Sequence, residues 1–399
     1  MLNSLKLYSN YFLKSSLSKD RKFVLHDLKR FLLRKGVFNQ INTYSAAAKE
    51  QSLIKAAGWL MAAQKANTDG GMGSYHLINK WSSSYPETTG YIIPTLIDFG
   101  NKRNNQQALD SAIRAADFLV GIQKESGGWQ GGRMNENRPE IVFNTGQVIR
   151  GMVSAYKQTG NRHYLDSGLK AGLWLSEILH LEGFWKTHAL MNKERVYDTF
   201  VDVPLLQLFE ITGDEQFKKA AVRNLDWVIH EKMQENGWFE DCDNTVKRND
   251  KPILHTIAYT LDGLIDSGLI LKDKKYIKAA EKGAQKLREL FLSQGFLHGR
   301  YDRNWNGSEY MICTGCAQMA TIWLKLFRIT GEKAYLDAGR KMINLLIFIQ
   351  SRKIREDNET LGAIPGSFPL WGRYEPFAFP NWATKFFCDA LLLEAEAEK

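Results

Sequence analysis

The chain has only four cysteines, Cys242, Cys313, Cys316 and Cys388, in 399 residues. So few do not make a disulfide framework, and a reducing, cytoplasmic compartment fits best. Cys313 and Cys316 form a lone C-x-x-C with no partner pair, short of the four ligands of a structural zinc site. No run of eighteen apolar residues is present, so no transmembrane helix is expected. The opening MLNSLKLYSNYFLKSSLSKDRK lacks the continuous apolar stretch and the small-residue cleavage site of a secretory signal. Also absent are a phosphate-binding P-loop, a dinucleotide fingerprint, a G-x-S-x-G elbow and an H-E-x-x-H metal motif. No cofactor is expected. Strand signals are sparse.

Composition describes a globular protein with a large core, 44% apolar and 12% aromatic. The formal charge of +9 is unevenly placed. Residues 1–44 contain nine Lys/Arg and two acids, or +7, which leaves +2 for the other 355 residues. The chain therefore divides into a basic helical extension, 1–44, and a nearly neutral body, 45–399. The extension reads either as a solvated helix or as a docking segment for an anionic membrane surface or a protein partner. No recognition motif accompanies the charge, so nucleic acid is not an expected partner.

The body repeats itself. YKQTGNRHYLDSGLKAGLWL (156–175), FEITGDEQFKKAAVRNLDWV (209–228) and FRITGEKAYLDAGRKMINLL (327–346) each end one helix at a glycine and begin another. Glycine suits that position because it takes positive φ without steric cost. Weaker copies follow Gly100 and Gly268, so the five glycines are spaced by 60, 53, 55 and 63 residues. The helices after the turns are amphipathic: 46–64, 108–123, 164–180, 216–232, 276–292 and 335–351. Those before them are apolar nearly all round: 91–99, 145–159, 203–212, 256–267, 314–330 and a last one at 382–394. Apolarity on every side means burial on every side. Six buried helices inside six amphipathic ones, joined by alternating short and long loops, define an all-α (α/α)6 toroid.

All six long loops lead into inner-helix N-termini, so six positive dipole ends converge on one mouth and favour anionic or strongly polar ligands. In SSYPETTGYIIPTL, Thr88 or Thr89 is expected to cap the helix, with Tyr85 and Glu87 delivered to the site. Asp198 and Asp202 are one turn apart and share a face, where neighbouring carboxyls raise each other's pKa. Asp241 lies in the most acidic loop, NGWFEDCDN. His255 opens the fourth inner helix, with Tyr259 one turn on. GFLHGRYDRNWNGSEY supplies Arg300, Tyr301 and Glu309, an arrangement in which guanidinium pairs with a sugar carboxylate while a phenol moves a proton. Asn144 is a further candidate for substrate binding. Each long loop also carries one tryptophan, Trp81, Trp129, Trp185, Trp238, Trp305 and Trp371. These are candidates for stacking on sugar rings, or else fill the loop layer.

WLMAAQKANTDGGMG and FLVGIQKESGGW resemble the repeats of terpenoid cyclases and prenyltransferase β-subunits, but the D-x-D-D acid of the cyclases is absent. From about residue 45 onward the chain is similar to the six-hairpin carbohydrate-active toroids: glycoside hydrolases, polysaccharide lyases and uronyl C5-epimerases. YPETTGYIIPTL and ITGDEQF resemble toroid proteins associated with bacterial exopolysaccharide biosynthesis. NGWFEDCDN followed by ILHTIAYTLDGLIDSG is similar in layout to glucuronyl C5-epimerases, although their extra β-domain has no counterpart here. The resemblance implies an enzyme acting on a polysaccharide or oligosaccharide. Hydrolysis would use carboxyls from Glu87, Asp198, Asp202, Asp241 and Glu309; elimination or epimerisation would use His255, Tyr259 or Tyr301. A terpenoid cyclase-like enzyme and a non-catalytic carbohydrate-binding scaffold are the alternatives.

Overall fold

The computed structural model describes residues 9, 13–14, 21–39, 43–352 and 359–397, and the rest of the basic extension lies outside them. The extension contributes α1 (Arg21–Asn39). The outer helices are α2 (Ala46–Lys65), α4 (Gln106–Gly121), α6 (Arg162–Glu177), α8 (Glu215–Trp227), α10 (Lys274–Gln294) and α12 (Lys333–Ile349). The inner helices are α3 (Pro86–Arg103), α5 (Val142–Thr159), α7 (Thr199–Thr212), α9 (Leu254–Leu271), α11 (Cys313–Thr330) and α13 (Asn381–Ala397). Each inner helix packs against the next, α13 packs back on α3, and α2 pairs with α13 across the closure. This is the closed (α/α)6 ring expected from the repeat. Among the described residues no helix is long and apolar enough to cross a membrane.

The two ends of the ring are built differently. Five of the six outer helices begin with conventional side-chain caps: Ser45, Asn105, Asn161, Asp214 and Asp273 each accept a bond from a first-turn backbone N–H, whereas α12 has none. Inner helices α3, α5, α7, α9 and α11 begin with no side-chain cap bond. Their positive ends are thus left facing the long-loop layer.

Two local expectations fail. Neither Thr88 nor Thr89 caps α3, because Pro86 occupies the first turn with its fixed φ and no N–H to satisfy. Thr89 Oγ1 instead accepts the Met72 N–H at 2.9 Å. Gly160, Gly213 and Gly331 end their helices in the left-handed region as expected, but Gly100 and Gly268 lie inside α3 and α9. A Cβ there would meet Leu109 at 2.6 Å and Ile277 at 2.7 Å, so the small residue admits the following outer helix.

The loop layer is stitched by short strands. Tyr75–His76 pairs with both Lys80–Trp81 and Ala378–Phe379, joining the first long loop to the last. Met311–Ile312 pairs with Ser367–Phe368. Nor is α1 simply solvated. Phe23 and Val24 are buried, and Asp27 Oδ2 accepts the Leu370 N–H at 2.6 Å. Asp27 also pairs with Arg30 at 3.0 Å, and Arg30 Nη1 donates to the carbonyls of Phe348 and Ile349 at the end of α12.

Candidate active site

A cavity of about 540 Å³ opens among the N-termini of the inner helices. Its walls come from Tyr85, Glu87 and Tyr91 of the first hairpin, Phe143 and Asn144 of α5, and Tyr197 just before α7. His255 and Tyr259 of α9, with Tyr374, Glu375 and Trp382 from the last loop and α13, complete it. Glu87 stands in the first turn of α3, and the Tyr85 hydroxyl donates to its Oε2 at 2.7 Å. Burial raises the Glu87 carboxyl to about 7, opposed by the Tyr85 bond, which favours the carboxylate. The phenols of Tyr91, Tyr259 and Tyr374 all lie close enough to feel its charge.

Across the ring, His255 Nδ1 is 2.7 Å from Gln318 Oε1 of α11. An amide oxygen only accepts, so Nδ1 carries the proton and Nε2 is left as an acceptor. Burial lowers the imidazole pKa to about 4, with the Gln318 bond working the other way, so it is neutral near neutral pH. Its ring lies 4.4 Å from that of Tyr259 and 5.8 Å from that of Tyr374. Tyr374 in turn accepts a 2.9 Å bond from Trp382 Nε1. The rim is charged. Arg133, Glu136 and Arg138 come from one loop, with Arg138 Nε 2.7 Å from Glu136, and Glu375 from another. Burial raises the Glu375 carboxyl, partly offset by nearby Arg133.

The structure thus places Tyr85, Glu87, Asn144, His255 and Tyr259 around one cavity, and puts the other candidates elsewhere. Asp198 and Asp202 do lie near each other, yet both are buried behind the wall and neither lines the cavity. Asp198 Oδ2 and both oxygens of Asp202 have no hydrogen-bond partner. Burial raises Asp198 to about 8, opposed by Arg195, and holds Asp202 well above the usual carboxylate range, with Asp198 adding to the effect. Asp241 is spent on loop structure, paired with Lys232 at 2.7 Å and bonded by Asn249 at 2.8 Å.

Arg300 donates to Asp243 at 2.9 Å and to the Lys251 carbonyl at 2.7 Å. The buried Tyr301 hydroxyl accepts the His298 N–H at 2.8 Å. Glu309 lies among Arg248, Arg300 and Arg373 at 3.5, 3.5 and 3.4 Å, in a separate cavity with Phe31, His298 and Tyr310. The expected Arg-Tyr pair therefore does not reach the site.

None of the six loop tryptophans lines the cavity, contrary to expectation. Trp129 and Trp185 are fully buried, and each indole N–H donates to a carbonyl ten residues back, Leu119 at 2.7 Å and Leu175 at 2.9 Å. These carbonyls are near the ends of outer helices, which leave acceptors open. Trp238 and Trp305 are also buried, bonded to the Tyr301 and Asn236 carbonyls. Trp81 packs on Trp59 and Tyr75, and Trp371 on Phe31. Beside Tyr85 and Tyr259, the cavity is faced by five aromatic residues that the sequence did not single out, Tyr91, Phe143, Tyr197, Tyr374 and Trp382. Their one available signal was position, at or just before inner-helix starts.

No family model matches the chain, and no curated protein sequence matches it. Solved structures do. An unsaturated glucuronyl hydrolase specific for heparin superposes with a TM-score of 0.72 at 16% identity, covering 89% of this chain and 98% of that one. A sugar epimerase from a ruminal bacterium gives 0.69 at 13%, with coverage of 87% and 98%. An α-amylase from Clostridium perfringens gives 0.62 at 11%, with coverage of 86% and 97%. These likenesses establish the fold, an (α/α)6 toroid.

Proposed function

We propose that the chain is a carbohydrate-active enzyme, a glycoside hydrolase acting on oligosaccharides, with Glu87 as its proton donor. The observation that carries this reading is the Glu87 carboxyl, held by Tyr85 at 2.7 Å in an aromatic cavity and raised to about 7. A carboxyl with that pKa keeps a proton to give near neutral pH. Tyr85 occupies Oε2, which leaves Oε1 to present the proton to the glycosidic oxygen. As that C–O bond breaks, water adds to the anomeric carbon, and His255 Nε2 accepts the proton the water loses. Phe143, Tyr259 and Trp382 supply ring faces for stacking, and Asn144 a polar contact. The rim arginines Arg133 and Arg138 suit a carboxylate-bearing sugar. The heparin-specific glucuronyl hydrolase among the structural neighbours supports the same substrate class.

Epimerisation is the second reading, favoured by His255 as a neutral proton acceptor facing the same cavity as a protonated Glu87. The sugar epimerase of similar fold supports it. A prenyl-handling enzyme is disfavoured by the charged rim, and a tryptophan-lined binding scaffold by the burial of the loop indoles. The likeness of YPETTGYIIPTL and ITGDEQF to proteins associated with exopolysaccharide biosynthesis supports a polysaccharide-related role.

The test is incubation of the protein with neutral and uronate-containing oligosaccharides, read for new reducing ends, for unsaturated-uronate absorbance and, by NMR, for C5 inversion. Hydrolysis gives reducing ends without absorbance, and Glu87→Gln abolishes them. Inversion without cleavage would move the assignment to the second reading. Absorbance appearing with the reducing ends would replace both with a lyase.

A further inference from the structure

α1 has one face unaccounted for by the toroid. Phe23, Val24 and Asp27 point inward and are buried. On the opposite side Leu25, Leu32 and Leu33 are 60%, 68% and 57% exposed. Successive residues turn by about 100°, which brings these leucines together with Arg21, Lys22 and Lys29 on a single arc of about 120°. The three basic residues are exposed as well. The sole acid of the helix, Asp27, is on the buried face, where it pairs with Arg30 and the Leu370 N–H.

A solvated helix face does not need three exposed leucines, and a protein-binding face does not need an acid-free set of cations around them. Leucines flanked by lysine and arginine on a helix are the pattern of a segment lying in a bilayer interface, apolar side down. The charge agrees: residues 1–44 carry +7 of the chain's +9. We propose that the outward face of α1 docks the protein on an anionic lipid surface. Its occupant is the lipid headgroup and upper acyl region, chosen over a second copy of this chain because the body, at +2, offers no complementary net negative charge.

The docking has a consequence for the cavity. The inner face of α1 holds Leu370, in the loop that delivers Tyr374 and Glu375 to the wall. Docking therefore engages the helix that holds the last long loop. The proposal itself does not depend on the chemistry of the cavity.

The test is co-sedimentation of the full chain with vesicles of phosphatidylcholine alone and of phosphatidylcholine mixed with phosphatidylglycerol. Two variants accompany it, Leu25→Ser/Leu32→Ser/Leu33→Ser and Lys22→Gln/Lys29→Gln. Both change only exposed side chains, so their melting temperatures should match the wild type. The expected result is binding to the mixed vesicles only, weakened by salt and by about tenfold or more in each variant. Failure of the wild type to bind the mixed vesicles, or binding untouched by both variants, would overturn the proposal. So would a wild-type dimer that the leucine variant converts to monomer without any vesicle binding, which would assign the face to a second copy.

Discussion

The Tyr85 hydroxyl donates to Glu87 Oε2 at 2.7 Å, two residues away in sequence and across the first turn of α3. That bond favours the charged carboxylate, while burial favours the neutral acid, and burial prevails. The bond thus leaves Glu87, the proposed proton donor, more acidic than burial alone would make it.

Under the proposed hydrolysis, the activity profile follows from two groups. Glu87 must be protonated, so activity falls as pH rises past about 7. His255 must be neutral, so activity falls again below about 4. Tyr85→Phe removes the bond that favours the carboxylate, which moves the alkaline limb upward. Glu87→Gln loses roughly 10²–10⁴-fold in kcat. Measured kcat/KM against pH for the three proteins checks this, and an unmoved alkaline limb in Tyr85→Phe rejects the assignment.

Stability should also depend on pH through Asp198. Its folded pKa of about 8 exceeds the ordinary 3.8, so its contribution is full below that lower value and is lost as pH rises through the upper one. The loss over this window is on the order of a few kcal/mol. Asp198→Asn cannot ionise and should flatten the dependence. Urea unfolding across the same window measures it, and parallel curves for the two proteins would contradict it.

Trp129 and Trp382 should separate structure from binding. Trp129→Phe loses the Leu119 bond, about 1 kcal/mol of stability, and leaves KM alone. Trp382→Phe loses the bond that fixes Tyr374 in the cavity wall, and should raise KM by roughly fivefold. Denaturation midpoints and KM values for both variants are the readout.

Asp27→Ala leaves Arg30 buried without its carboxylate and frees the Leu370 N–H. We expect a destabilisation on the order of 3 kcal/mol. A raised KM should accompany it, because the released loop carries Tyr374 and Glu375. Thermal melting and substrate titration test both halves.

The repeat alone determined the architecture. Glycines in or just before the hairpin turns, recurring every 53 to 63 residues, with all-round apolar helices alternating with amphipathic ones, leave little besides a closed double ring. Those are local signals: helix period, turn chemistry and apolar face. They also placed the loops and inner-helix starts, and so located Tyr85, Glu87, Asn144, His255 and Tyr259. What sequence spacing did not decide was direction. Asp198 and Asp202 sit one turn apart as read, but the rotation of α7 sends them into the interior rather than the cavity. Trp129, Trp185, Trp238 and Trp305 spend their indole N–H groups on backbone carbonyls in the helix ends and loop layer, and Trp81 donates to Glu359, so these rings are held away from the cavity. Arg300 finds Asp243 fifty-seven positions away, a pairing no local pattern encodes. Leu370, four residues before Tyr374, is held by Asp27 of α1, from the far end of the chain. Only tertiary packing settles which polar groups are consumed by one another and which remain to meet a substrate.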